Sequence, residues 1–280
     1  ALQAAALSIG QRGVHGALPA ASHRSVHWAM AIAAAALVTT GVLPAPDRDA
    51  PRRTRVTIWK AMPDWRLPRF GQGCGQQSMG MFGMIEPYLR ARGFDVTVSA
   101  TAPTAVSLEK TDILLALAPA QRLPQSEKEA LVGFVRNGGG LLVAGDHTDV
   151  AGVIEPVNDC TAPFGIRIRF DTALPARVGW ENCLELLPHP VTAAIRAEWE
   201  TALWVGASLE CTAPARPLVI GRRGWADGGD RNNTARAFLG DYVRQVGEQL
   251  GDLVLVAESR YGTGRVLVFG DSSTMQNAVI

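Results

Sequence analysis

Two short runs constrain the fold more than anything else in the chain. Asp112–Leu117 reads DILLAL and Leu141–Ala144 reads LLVA, apolar without alternation. A strand with one wet face alternates, whereas a strand covered on both faces reads as a continuous apolar run, as in a parallel sheet sandwiched by helices. Between these runs, Pro124–Asn137 predicts a helix: Pro124 suits the first turn, Glu127 and Glu129 suit the positive end of the dipole, and Gly138 follows the last turn. Upstream the alternation continues. Arg55–Lys60 (RVTIWK) predicts a first strand and Asp95–Ser99 (DVTVS) a second. Between them, Gln77–Arg92 predicts a helix with Met81, Met84, Ile85, Tyr88 and Leu89 at helical spacing and Gly93 closing it. Strand and helix in turn imply βαβ units with right-handed crossovers. The expected fold class is α/β: a flavodoxin-like, mostly parallel sheet with helices on both faces. Further strands are expected at 165–170, 202–209, 216–220, 252–257 and 265–269, the last two as a hairpin about Tyr261-Gly262-Thr263-Gly264.

The first fifty residues are different material. From Trp28 to Pro46 no residue is charged; Arg24 precedes the stretch, and Asp47, Arg48, Asp49, Arg52 and Arg53 follow it. Its length just suffices for a hydrocarbon core of about 30 Å, and Trp28 stands where an interfacial aromatic belongs. The expectation is one N-terminal transmembrane helix over residues 26–46, carrying Trp28, Ala36 and Val42, after a tail (1–25) and before a linker (47–54) and the α/β domain (55–280). A cleaved signal peptide and a buried soluble helix are the competing readings. The arginine excess after the span favours a cytoplasmic domain, but large domains translocate regardless of that bias. The expected location is therefore the bacterial inner membrane, single-pass, with the large domain periplasmic.

Composition removes other classes. An apolar fraction of 47% excludes general disorder, and a net charge of +1 offers no field to attract nucleic acid. Cys74, Cys160, Cys183 and Cys211 lack the CxxC or CxxH spacing of a structural zinc site, although an even number permits two disulfides. The glycine-rich stretch 70–83 lacks the Lys-Ser/Thr of a phosphate loop, so no cofactor is expected there. Trp199, Trp204 and Trp225 with Arg222 and Arg223 suit either a contact surface or edge packing.

Three segments carry a family resemblance. The run from Asp112–Pro119 through FVRNGGG to LLVAGD resembles the strand–helix–strand leading to the nucleophile elbow of class I glutamine amidotransferase-like domains. His189-Pro190-Val191-Thr192 resembles a segment common in the non-catalytic branches of that superfamily, and Tyr261–Asn277 resembles their closing hairpin. Those branches include bacterial membrane proteins and domains of gliding-motility and intraflagellar-transport proteins. An active member would place cysteine on the turn after the fourth strand, where this chain reads Gly145-Asp146-His147-Thr148-Asp149. Glutamine hydrolysis needs a thiolate with a base beside it, so the resemblance implies a domain without that activity.

The same turn is the most polar cluster following a buried strand, and open α/β sheets collect ligands at strand carboxyl ends. Asp146, His147, Thr148 and Asp149, with His189 and Asp271, are the candidate ligand-binding residues; the alternative is that Asp146 and Thr148 cap the next segment. Phe269-Gly270-Asp271-Ser272 also resembles the opening of GDSL-type ester hydrolases, but no histidine follows Ser272. The functional expectation is a non-enzymatic, membrane-anchored accessory subunit that docks on other subunits of a membrane complex and contacts the bilayer through its helix. A polar-ligand or carbohydrate-binding domain, and a hydrolase using the 146–149 cluster or Ser272, are the alternatives.

Overall fold

The computed structural model describes residues 53–61, 64–70, 77–78, 81–175, 179–180, 183–193, 195, 203, 206–232 and 240–277. Trp28, Ala36, Val42 and the whole expected membrane span, together with Cys74, Trp199 and Trp204, lie outside them. Among the described residues no helix is long and apolar enough to cross a membrane.

In chain order the main sheet contains β1 (Arg55–Trp59), β2 (Asp95–Ser99), β3 (Ile113–Leu117), β4 (Gly140–Ala144), β5 (Ile166–Ile168), β6 (Asp171–Pro175), β7 (Leu184–Leu186), β8 (Leu209–Cys211), β9 (Arg216–Gly228), β10 (Leu250–Tyr261) and β11 (Gly264–Phe269). The helices are α1 (Ile85–Ala91), α2 (Ala105–Leu108), α3 (Gln125–Arg136) and α4 (Ile154–Thr161). The core is parallel, in the order β2-β1-β3-β4-β11. An antiparallel extension then begins: β10 pairs with β11, β9 with β10, and β6 and β7 with β9, while β8 links β10 to β5. The large α/β sheet is thus parallel at its centre and antiparallel at one side. The chain steps out from β1 to β2 and then back across to β3 and β4. Right-handed crossovers therefore put α1 on one face and α2 and α3 on the other, with α3 packed against both α2 and α4.

The continuously apolar runs behave as their composition requires. Every residue of β3 and of β4 is buried, and each large side chain among them contributes about 1.5–3 kcal/mol by leaving water. At the sheet's open end, Arg55 Nη2 meets Asp112 Oδ1 at 2.8 Å and the Arg55 amide donates to Asp112 Oδ2, pinning the start of β1 to β3.

Several expectations change. The helix foreseen from Gln77 starts only at Ile85, and Gln77–Ser78 instead pairs with Arg69–Phe70. Two residues explain this. Pro87 has no N–H and clashes with a preceding turn, so it must sit in the first turn. A Cβ on Gly83 would lie 2.4 Å from the Arg66 carbonyl oxygen, so that backbone is already engaged before the helix begins. The strand foreseen at 202–209 is only Leu209–Cys211, with Gly206 bridged to Ala173; residues 201–202 and 204–205 lie outside the described set. β9 and β10 run well past their expected ends, and β6, β7 and α4 were not foreseen. The expected strand stops at Ile220, before glycines that admit an aromatic ring: a Cβ on Gly221 would lie 2.3 Å from Trp180.

β11 reaches the parallel core only because its first residue carries no side chain. A Cβ on Gly264 would stand 1.9 Å from the Val135 carbonyl oxygen and 2.5 Å from that of Gly139. Gly264→Ala is therefore expected to destabilise the fold by ~2 kcal/mol or more, read as a lower denaturant midpoint. An unchanged midpoint would mean that β11 does not pack against α3 in this way.

Candidate functional site

The parallel pairing of β4 with β11 sets Ala144 beside Phe269, so the turns beginning at Gly145 and Gly270 leave the sheet side by side. Both are Gly-Asp steps. A Cβ on Gly145 would lie 2.2 Å from Ile168, and one on Gly270 2.0 Å from the Ala207 carbonyl oxygen. The Gly145 amide donates to the Phe269 carbonyl and the Gly270 amide to the Leu255 carbonyl, which holds the two turns in register.

Asp146, His147, Thr148, Asp271 and Ser272 meet at this edge. Ser272 Oγ donates to Asp146 Oδ2 at 2.9 Å, and the His147 amide donates to Asp146 Oδ1 at 2.9 Å. His147 Nδ1 lies 2.8 Å from Thr148 Oγ1, and its Nε2 is 3.6 Å from Asp146 Oδ1. Ser272 is fully buried (0% exposed) and Thr148 nearly so (1%). Burial pushes the Asp146 carboxyl up to about 6, against the His147 amide and the Ser272 hydroxyl, which hold it down.

The order of these groups decides what they can do. In a nucleophilic relay the imidazole stands between hydroxyl and carboxylate and takes the hydroxyl proton. Here the carboxylate stands between, and the hydroxyl gives its hydrogen bond to Asp146. Among the described residues no thiol substitutes: Cys160 is buried in α4, where desolvation pushes it up to about 12. Cys183 and Cys211 are also free.

The remaining candidates have structural partners. Asp149 Oδ1 accepts from the Ile154 amide at the start of α4, while Asp146 caps the short 3-10 segment His147–Gly152 through the His147 amide, the capping role the sequence offered it. Asp271 Oδ1 accepts from the Ser273 amide and shapes the closing turn. His189 is not brought to the cluster. Its Nδ1 accepts from the Val191 amide at 3.1 Å, which leaves the proton on Nε2, and Nε2 faces Glu258 Oε2 at 2.9 Å in a close but bent approach. Glu258 stands opposite Leu267 and hence level with Leu142, four residues short of Asp146, or about 13 Å along the strand. The sequence reading missed Glu258 and Asn277. Glu258 was legible as an acid directly following the apolar run Leu253–Ala257. Asn277 was not: its Oδ1 accepts from the Met84 amide and its Nδ2 donates to the Arg66 carbonyl, tying the end of the described chain to the start of α1.

Strain marks the turn after β4. Thr148 (φ 40°), Asp149 (φ 57°) and Ala151 (φ 55°) are all left-handed without being glycine, at about 1–2 kcal/mol each. Among the described residues no three His, Cys, Asp or Glu gather as a metal site.

Residues 85–280 match the family model of a domain of unknown function, DUF4350. A search of curated proteins gave no match. Among solved structures, the mmIFT52 N-terminal domain is similar at 12% identity and TM-score 0.53, covering 80% of this chain and 89% of that one. The cytoplasmic protein STM1381 from Salmonella typhimurium LT2 is similar at 13% identity and TM-score 0.44, covering 78% and 87%. The first likeness shows the fold alone, and nothing rests on the second.

Two outcomes follow from the site. An acid whose folded pKa is raised stabilises the fold while protonated and loses that contribution as pH climbs from 3.8 through about 6. Asp146→Asn lacks this loss, so its stability relative to the parent should improve by up to about 3 kcal/mol between pH 4 and pH 7.5, measured by urea unfolding across pH. A pH-independent gap would contradict the burial of Asp146. Ala151→Gly should raise stability by about 0.5–1 kcal/mol by relieving an exposed left-handed residue; a loss of stability in thermal unfolding would show that the turn is not strained there.

Proposed function

The chain belongs to the DUF4350 family, and from that premise we propose that its domain is a non-catalytic, amidotransferase-like module that docks on a membrane complex. One observation carries this reading: the turn that would present a nucleophile instead presents Asp146, with Ser272 buried and hydrogen-bonded to it. A site closed by its own side chains supports a role in assembly over one in turnover. Residues 26–46, outside the described set, supply the membrane anchor in this reading.

The segment Tyr242–Leu250, leading into and starting β10, suits the docking surface. Tyr242 (60% exposed), Val243 (63%), Val246 (103%) and Leu250 (55%) lie within nine residues and face solvent. Its backbone is held from beneath, because Asp227 Oδ2 accepts from the Tyr242 amide and Glu248 Oε1 from the Gly228 amide. Clustered exposed apolar side chains on a held loop are typical of contact surfaces.

The test is purification of the full chain from its native membrane in mild detergent. The reading predicts stoichiometric membrane-protein partners. These should be lost in Val243→Asp/Val246→Asp and retained in Asp146→Ala/His147→Ala. A monomer without partners, or turnover of an ester or amide that the Asp146→Ala/His147→Ala variant abolishes, would overturn it.

A further inference from the structure

At the amino end of the parallel core, away from Asp146, one face of the sheet carries positive charge that its own acid does not balance. Arg265 lies level with Gly140 at the start of β4, and Arg260 of β10 stands directly opposite it. Glu258 is two residues from Arg260 and so shares its face, and Arg216 of β9 stands opposite Glu258. Three neighbouring strands thus bring three guanidinium groups around one carboxylate.

That carboxylate is fully engaged. Arg216 Nε donates to Glu258 Oε1 at 2.5 Å, and His189 Nε2 faces Oε2 at 2.9 Å. Arg265 Nη1 is buried with no acceptor among the described residues. Arg260 is exposed and has no ion pair there. Burial first, then the charge of Arg260, pushes the Arg265 pKa down, with Glu258 opposing and Arg216 adding to it. Like charges directly opposite on adjacent strands destabilise a sheet, and a buried donor without an acceptor costs the desolvation of that group. Both penalties vanish if an anion lies between the two forks.

We propose that Arg260 and Arg265 form a binding site for a tetrahedral oxyanion of the phosphate class, Arg265 holding it from within the sheet and Arg260 closing on it from solvent. A carboxylate would neutralise one guanidinium and leave the other; a phosphate group carries the second charge and enough oxygens for two planar forks. The site is separate from the Asp146 turn and does not depend on the docking reading.

The test is isothermal titration of the full chain with inorganic phosphate, in chloride of matched ionic strength, with acetate as the second titrant. Phosphate should bind the parent chain at least tenfold tighter than acetate, and Arg265→Gln and Arg260→Gln should each weaken phosphate at least tenfold. Because Arg260 is exposed, its variant decides the matter if Arg265→Gln does not fold. Vesicles of phosphatidate against phosphatidylcholine identify the source: binding to phosphatidate that Arg260→Gln removes assigns a lipid headgroup, and phosphate binding alone assigns a soluble ester or ion. Phosphate binding by the parent no tighter than acetate binding, or equal phosphate binding by the Arg260→Gln variant, would overturn the proposal.

Discussion

The parallel pairing of β4 with β11 is the interaction on which the rest depends. It joins segments more than a hundred residues apart, Gly140–Ala144 with Arg265–Phe269. It completes the five-strand core, gives β10 an edge to pair with, and sets Gly145-Asp146 beside Gly270-Asp271. Without it Ser272 could not reach Asp146. Non-local pairing of this kind carries a loop-closure penalty before it returns any contact, and the two buried apolar faces of β4 are what offset that penalty.

Closure follows from the same pairing. At the carboxyl edge of an open sheet, where ligands commonly bind, this chain places glycines that allow backbones to touch and polar side chains that satisfy one another. Asp146 takes the Ser272 hydroxyl and the His147 amide, Asp149 accepts from the Ile154 amide at the start of α4, and Asp271 from the Ser273 amide of its own turn. Residues 148, 149 and 151 of the same turn as Asp146 are left-handed, and of these Asp149 is fixed by its bond to the Ile154 amide.

Much of the core was legible in the sequence because burial on both faces leaves an unmistakable composition. β1, β2, β3, β4, α3 and the β10–β11 hairpin fall close to where their patterns put them. What failed did so where tertiary contacts override local signals. The expected strand ends at Ile220, short of Gly221 and Gly224, against which Trp180 packs, and Pro87 sets the start of α1 more firmly than the apolar spacing does. The site was half legible. Asp146, His147 and Asp271 were grouped in one candidate site, but the Ser272–Asp146 hydrogen bond that closes it depends on sheet order, which no local pattern encodes. His189 was misplaced because its histidine looked chemical, whereas its ring is spent on the Val191 amide and on Glu258.

The claim on which this account turns is that Asp146 is a buried carboxyl held by Ser272. Its titration can be followed directly by carbon NMR of the side-chain carboxyl across pH 3 to 8. The account predicts a midpoint near 6, well above an ordinary aspartate at 3.8, and a further rise in Ser272→Ala, where the hydroxyl that favours the charged form is gone. A midpoint near 4 that does not respond to Ser272→Ala would show a solvated turn open to ligands, and the closed-site reading would fall.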